Sequence, residues 1–192
     1  MPAANKEVAV AAVSWLKYVR LTLFSKPRSE RQLYRLVKLH SVGRIVEIGI
    51  GSIARTMSLV GVAQRYASDG KVAYAGLDWF EARTAELPRL TLKQAHSQLQ
   101  ATGAQVRLVP GEPGRSVATI ANAYQHTGLV LISAAVDDSD LADSWFYVPR
   151  MLDGTSIVLR ERYDEAGEPT FEMVEHEQIV AWAGCSRGRR AA

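Results

Sequence analysis

From residue 43 onward, short apolar runs alternate with stretches whose apolar side chains recur every three or four positions. Arg44 to Ile50 (RIVEIGI), Val72 to Asp78 (VAYAGLD), Val106 to Val109, Gly128 to Ser133 (GLVLIS) and Thr155 to Arg160 read as five strands. GLVLIS is almost wholly apolar, as expected of a strand buried on both faces of a parallel sheet. Between the strands, Ile53 to Ala67 predicts a helix closed by Ser68-Asp69-Gly70. Leu92, Ala95 and Leu99 share a helical face that Gly103 ends, and Thr91 to Gln94 has the T-x-x-Q spacing of a capping box. Val117, Ile120, Ala121 and Tyr124 mark a third helix, and Leu141 to Leu152 a fourth. Phe171 to Val174 leaves room for a sixth strand, followed by a short helix through Trp182. Strands and helices in strict alternation predict a mainly parallel sheet with helices on both faces. Ligands of such sheets bind beyond the carboxyl ends of the strands, where strand order reverses.

The first 42 residues follow another pattern. Val8 to Phe24 is apolar but carries Lys17 and Arg20 inside it, which fits an amphipathic helix and not a secretory signal. Pro27 ends that helix, and Ser29 to Gln32 repeats the capping-box spacing before Leu33, Leu36, Val37 and His40 share a face. Core packing is the first expectation for these helices; a homodimer face or a membrane-surface helix are the others.

Composition sharpens this division. The chain has 192 residues, 47% of them hydrophobic, enough to bury the core of one domain. One cysteine, Cys185, excludes an internal disulfide framework, and a reducing, cytoplasmic setting is compatible with it. The net charge of +3 is uneven: residues 1–40 hold eight Lys/Arg against Glu7 and Glu30, while the remainder is net acidic. The reading is therefore a basic helical extension over 1–42, a core domain over 43–184 and a disordered basic tail over 185–192. No aromatic-basic interleaving accompanies the basic segment, so nucleic-acid binding is not favoured.

The loop after the first strand carries the candidate chemistry. Gly49 and Gly51 allow a ligand to approach the backbone, and Ser52 opens a helix whose first N–H groups are free donors. Gly49-x-Gly51-x-x-Ala54 also satisfies a dinucleotide fingerprint, with Asp78 downstream, so a nicotinamide-dependent oxidoreductase is one alternative. Glu47 bears on the choice. Its carboxylate would repel a pyrophosphate but attract the ammonium or sulfonium of S-adenosylmethionine.

At these residues the sequence resembles a known family. Glu47-Ile48-Gly49-Ile50-Gly51 is similar to motif I (E/D-x-G-x-G) of the class I S-adenosylmethionine-dependent methyltransferases, and Gly76-Leu77-Asp78-Trp79 and Gly111-Glu112-Pro113 resemble the acidic positions that follow its second and third strands. The resemblance spans residues 43 to 160 and implies a single Rossmann-like, doubly wound α/β fold. It implies S-adenosylmethionine as cofactor, held by Glu47, Gly49, Gly51, Ser52, Asp78, Trp79 and Glu112, with Asp78 on the ribose and Glu112 near the adenine. It also implies transfer of a methyl group to an acceptor that the sequence does not name.

Two departures stand out. The fourth strand ends in Ser133-Ala134-Ala135, where the family commonly has an acidic or amide side chain. Hard cations need several converging oxygens, so no metal site is expected there. Asp137 and Asp138 are weak candidates for a catalytic base, and helix capping by Asp137, Asp138 and Asp140 is the commoner use of such a cluster. The second departure is the short C-terminal part, in which the family's usual antiparallel seventh strand is expected to be missing or abbreviated. Both leave a catalytically inactive protein of the same fold as the main alternative to an active methyltransferase.

Overall fold

The computed structural model describes residues 13–191, with side chains from Val13 to Ser186. Two helices, α1 (Trp15–Phe24) and α2 (Arg28–Leu39), precede the first strand. There follow β1 (Arg44–Ile48), α3 (Ile53–Tyr66), β2 (Ala73–Asp78), α4 (Leu92–Gln100), β3 (Gln105–Pro110), α5 (Pro113–Ile120) and β4 (Leu129–Ile132). A one-turn helix α6 (Asp138–Leu141), β5 (Ile157–Tyr163), β6 (Pro169–Met173) and α7 (His176–Ala191) complete the described chain. The six strands form one sheet in the order β3-β2-β1-β4-β5-β6. β1 to β5 are parallel, and Ile48 lies opposite both Leu77 and Ile132, so β1, β2 and β4 end level with one another. Strand order reverses between β1 and β4, which places the topological switch point beside the Gly49–Gly51 loop.

Each face of the sheet has its own core. Ile45, Tyr74, Leu131 and Leu159 face α2, α3 and α4, while Val46, Ile48, Leu77 and Val158 face α5 and α7. This parity determines where the polar residues of the strands point. Glu47 and Glu161 share the parity of Ile45 and Leu159 and face α3; Arg160 and Arg162 share that of Val158 and face α7.

The N-terminal helices belong to the first of these cores. α2 buries Leu33, Tyr34 and Val37 against α3. Tyr18 of α1 meets Tyr66 edge-on at 4.9 Å between centroids, and the Lys38 ammonium sits 5.1 Å from both rings. Two of the basic residues serve the end of α1. Arg31 Nε donates to the Ser25 carbonyl at 2.8 Å and Arg35 to the Thr22 carbonyl at 3.0 Å, satisfying acceptors that a helix C-terminus leaves open. The apolar expectation for α1 is met in a different sense: Trp15, Leu16, Leu23 and Phe24 point outward, while Tyr18 and Thr22 are buried. Residues 8–12 of the expected helix lie outside the described residues. Among the described residues, no helix is long and apolar enough to cross a membrane.

Local signals differ in how well they hold. The Thr91 capping box forms, with Thr91 Oγ1 accepting the Gln94 N–H and Gln94 Oε1 accepting the Thr91 N–H. The Ser29 box does not, because α2 starts two residues earlier with Pro27 as its N-cap, and Ser29 is inside the helix with its hydroxyl buried and unpartnered. The long helix expected over 141–152 is instead the single turn α6 followed by two 3-10 turns, at 144–146 and 148–150. Pro149 lacks the N–H that a continuous helix would need there. At the sheet edge, β6 runs antiparallel to β5. The sixth strand expected at 171–174 is this antiparallel edge strand, and among the described residues no seventh strand follows it. Helix α7 continues through residue 191, across the segment expected to be a tail.

The turn into β5 carries a pH dependence. Asp153 Oδ1 accepts the Thr155 N–H at 2.9 Å and the Thr155 hydroxyl at 2.8 Å, and its Oδ2 lies 3.2 Å from His126 Nδ1. The Thr155 backbone and side-chain bonds lower the Asp153 pKa from 3.8 to about 2. Because the folded value lies below the unfolded one, this contribution is complete above about pH 4 and lost as pH falls toward 2. Asp153→Asn is therefore expected to lower the melting temperature at neutral pH, with the gap from wild type closing between pH 4 and 2. A gap independent of pH would show that the carboxylate charge is not what the turn uses.

Candidate functional site

The switch point brings the sequence-derived candidates together, but their side chains are occupied by one another and by two arginines. Gly49 leaves β1 with φ +78°, donating its N–H to the Leu77 carbonyl at 2.8 Å. A Cβ at this position would come within 2.6 Å of Val136 Cγ2 and 3.0 Å of Ser133 Cβ. Gly51 opens space that Arg55 fills: a Cβ there would lie 2.7 Å from Arg55 Nη2 and 3.3 Å from Glu161 Oε2. Ser52 then caps α3, its hydroxyl accepting the Arg55 N–H.

Glu47 is fully buried and points sideways into α3 instead of along the strand toward a ligand. Its Oε2 accepts hydrogen bonds from Thr56 Oγ1 and Tyr74 Oη, each at 2.8 Å, and its Oε1 faces Arg55 Nη2 at 3.4 Å. The other side of the Arg55 guanidinium pairs with Glu161 of β5. Burial pushes the Glu47 carboxyl up from its ordinary value, opposed first by the Arg55 charge. Burial also acts to lower the Arg55 value, but Glu47 and Glu161 outweigh it, so the guanidinium stays charged. Tyr74 is raised by burial and then by the neighbouring Glu47 charge, and it acts as a neutral donor.

Asp78 ends β2 and is 1% exposed, with its acceptor positions filled by the chain itself. The Ile50 N–H donates to Oδ2 at 2.7 Å and the Phe80 N–H to Oδ1 at 2.8 Å. Arg83 closes on both oxygens, Nε to Oδ1 and Nη2 to Oδ2, each at 2.7 Å. The same guanidinium also donates to the Ile50 carbonyl, so it lies across the loop that the glycines form. Phe80 holds φ +48°, a strained value for a buried non-glycine, and the Asp78 bond to its N–H helps to hold it there.

The remaining candidates are more peripheral. Trp79 is half-buried against the α5 side of the core. Glu112 is the N-cap residue of α5 without a side-chain cap bond, and it pairs with Arg115 at 3.1 Å. Asp137 precedes α6, again without a cap bond, so the capping use of this cluster is not realised by its side chain. Asp138 pairs with Arg160 and lies 3.7 Å from Arg162. Ser133 Oγ and the Ala134 N–H both face Glu161 Oε2 at 3.4 Å. Among the described residues, no group of three or more His, Cys, Asp or Glu side chains is placed to hold a metal ion.

Three residues at the centre of this network, Arg55, Arg83 and Glu161, were not among the candidates. Glu161 had a signal, since its parity with Ile157 and Leu159 turns it toward α3. Arg55 had a weaker one, lying on the first turn of the helix after the glycines. Arg83 sits in an irregular loop, where no periodicity marks a residue.

S-adenosylmethionine, which the resemblance implies, can be tested against this geometry. A ribose needs free carboxylate oxygens on Asp78, and there are none. Val136 lies closest to Gly49 and Arg55 closest to Gly51, the loop beside which the methionine moiety is implied. In this arrangement the Asp78 carboxylate is closed by Arg83, so it is open to a ribose only with Arg83 withdrawn.

No protein-family model matches the chain. No curated protein matches it either. Solved structures do. The O-methyltransferase TomG from Streptomyces achromogenes, involved in tomaymycin synthesis and crystallised in complex with SAM, superimposes with a TM-score of 0.53 at 15% identity, covering 87% of this chain and 69% of TomG. The O-methyltransferase from Bacillus cereus in complex with SAH superimposes with a TM-score of 0.53 at 16% identity, over 88% of this chain and 71% of that one. At these identities the likeness concerns the backbone. The chain has the Rossmann-like fold of the class I S-adenosylmethionine-dependent methyltransferases.

Proposed function

We propose that the protein is an S-adenosylmethionine-dependent methyltransferase that rests in a closed form, with its cofactor cleft held shut by Arg83 and Arg55. One observation carries this reading. An acidic residue at the end of β2, Asp78, is hydrogen-bonded at 2.7 Å to the backbone of the glycine loop after β1, at the switch point of a methyltransferase-type sheet. The neighbours' bound SAM and SAH support the choice of cofactor. The residues that would hold it are Asp78, once Arg83 has withdrawn, and the backbone of Gly49 to Ser52. Of the two ion pairs, Arg83–Asp78 is the easier to open, because Arg83 lies in a loop while Arg55 is anchored in a helix. A non-catalytic protein of the same fold is the second reading, favoured by Ser133 and Ala134 being turned onto Glu161.

Calorimetric titration with S-adenosylmethionine and S-adenosylhomocysteine tests the proposal. Wild type is expected to bind weakly and Arg83→Ala at least about tenfold more tightly, since a charge-assisted pair no longer competes for Asp78. Adding Asp78→Asn to Arg83→Ala is expected to abolish the gain. Folded wild type and Arg83→Ala that both ignore these ligands, or that bind NAD(P) instead, would overturn the reading.

A further inference from the structure

The first helix leaves one face without a partner. Tyr18 and Thr22 turn α1 inward, and the opposite side of the helix carries Leu16, Lys17, Arg20, Leu23 and Phe24. Leu16 is 72% and Phe24 71% exposed, and Trp15 and Leu23 are exposed beside them. Four large apolar side chains in one ten-residue helix exceed the single exposures found on any surface, and such a patch marks an interaction site. The helix is also held in place at both ends. Ser14 Oγ accepts the Lys17 N–H at 3.2 Å, and Arg35 and Arg31 of α2 donate to the Thr22 and Ser25 carbonyls. Its outward face is therefore presented without further ordering.

Charge decides what that face would meet. Arg20 is four residues from both Leu16 and Phe24, so its guanidinium emerges among the apolar side chains. Lys17 lies one turn before it, and Lys26 and Arg28 follow the helix. All four are exposed, and among the described residues none has a carboxylate within ion-pair distance. Glu30, the one acid of α1 and α2, does not offset them. It accepts from the Tyr34 hydroxyl at 3.1 Å, and its charged neighbours are Arg55 and Glu161, on the sheet side of α2. Residues 1–12 add Lys6 and Glu7, which cancel.

A second copy of the chain, paired through α1, would set these cations against themselves. A nucleic acid would pair the cations and leave the leucines and Phe24 in water. An anionic bilayer satisfies both sets: the apolar side chains enter the acyl boundary, while Lys17 and Arg20 extend along their aliphatic stems to the phosphates. Among the described residues no helix can cross a membrane, so α1 would lie in the plane of the surface.

We propose that the outward face of α1 docks the protein onto an anionic membrane surface, with Leu16, Leu23 and Phe24 in the acyl boundary, Trp15 at headgroup level, and Lys17 and Arg20 on lipid phosphates. This face shares no residue with the Glu47–Asp78 cleft, so the proposal does not depend on cofactor binding.

Flotation of the full-length protein with vesicles tests it. Vesicles of phosphatidylcholine with about 30 mol% phosphatidylserine are expected to carry the protein up the gradient, and pure phosphatidylcholine vesicles at least about tenfold less. Binding should weaken in about 0.5 M salt. Lys17→Gln with Arg20→Gln, and separately Leu16→Ser with Phe24→Ser, should each weaken binding about tenfold or more, with the melting temperature unchanged because all four positions are exposed. Wild type should show a blue shift in tryptophan emission on binding that Trp15→Phe largely removes. Absence of flotation with the anionic vesicles would overturn the proposal, as would equal binding to the neutral ones. Binding unchanged by the serine pair would mean that the cations act alone, as on any polyanion, and would also overturn it. So would a dimer in sedimentation that the serine pair dissociates, since a second copy would then cover the face.

Discussion

Arg55→Ala is expected to destabilise the protein by about 3–5 kcal/mol, which is the usual consequence of leaving buried charges without their counter-ion. Two carboxylates depend on this one guanidinium, Glu47 at 0% and Glu161 at 5% exposure. With typical domain stabilities of about 5–15 kcal/mol, a loss of this size moves the urea midpoint by a large fraction of its value. The mechanism is checked by the triple variant Arg55→Met, Glu47→Gln, Glu161→Gln, which removes the charges together and fills the same volume. It should recover most of the stability, because a buried ion network replaced as a unit is often close to neutral. If the triple variant is as unstable as Arg55→Ala, packing and not charge is what Arg55 supplies.

Gly49→Ala is the second large effect, and it separates two roles of a glycine that the sequence assigns to ligand binding. The new methyl group would meet Val136 at 2.6 Å and Ser133 at 3.0 Å while the backbone keeps a φ of +78°. Backbone strain of about 1–3 kcal/mol and overpacking of about 1–3 kcal/mol act together here. A loss near 3 kcal/mol is expected in chemical denaturation, before any ligand is considered. Gly167→Ala is the matched control, with φ +75° and nothing within 4 Å of a Cβ. It should show only the backbone part, about 1 kcal/mol. Equal losses at the two positions would mean that Val136 and Ser133 move aside, and that the space above Gly49 opens readily.

Much of this fold could be read from the chain because its signals are local. The β1 and β2 segments, α3 with its Ser52 cap and the Thr91 capping box depend on residues within a few positions of one another. The direction of β6 had a signal too: only five residues, 164–168, separate it from β5, too few for the crossover that a parallel strand requires. The segment 141–152 misled because its apolar positions suit a helix, whereas Pro149 and the close packing of Ser144 against Gly114 break it into turns. At the site, the carboxylates were legible as residues but not as neighbours. A strand-end Asp looks the same in sequence whether it faces a ribose or an arginine five residues on. In the sequence Glu47 is marked by its distance from the glycines, while its direction follows from strand parity, which turns it into α3.

The Arg55 bridge also bears on the order in which the chain can fold. Glu47 and Thr56 lie within nine residues of one another, but Arg55 and Glu161 are separated by 106. During synthesis, β1 and α3 emerge long before β5, and until Ile157–Tyr163 docks, the guanidinium has Glu47 as its carboxylate partner, one charge against one. The first half of the sheet can therefore balance its buried charge alone. Docking of β5 is the step that adds a second buried carboxylate, Glu161, and that carboxylate finds its counter-ion only where β1 and α3 have already placed Arg55, which makes the late strand dependent on the early one.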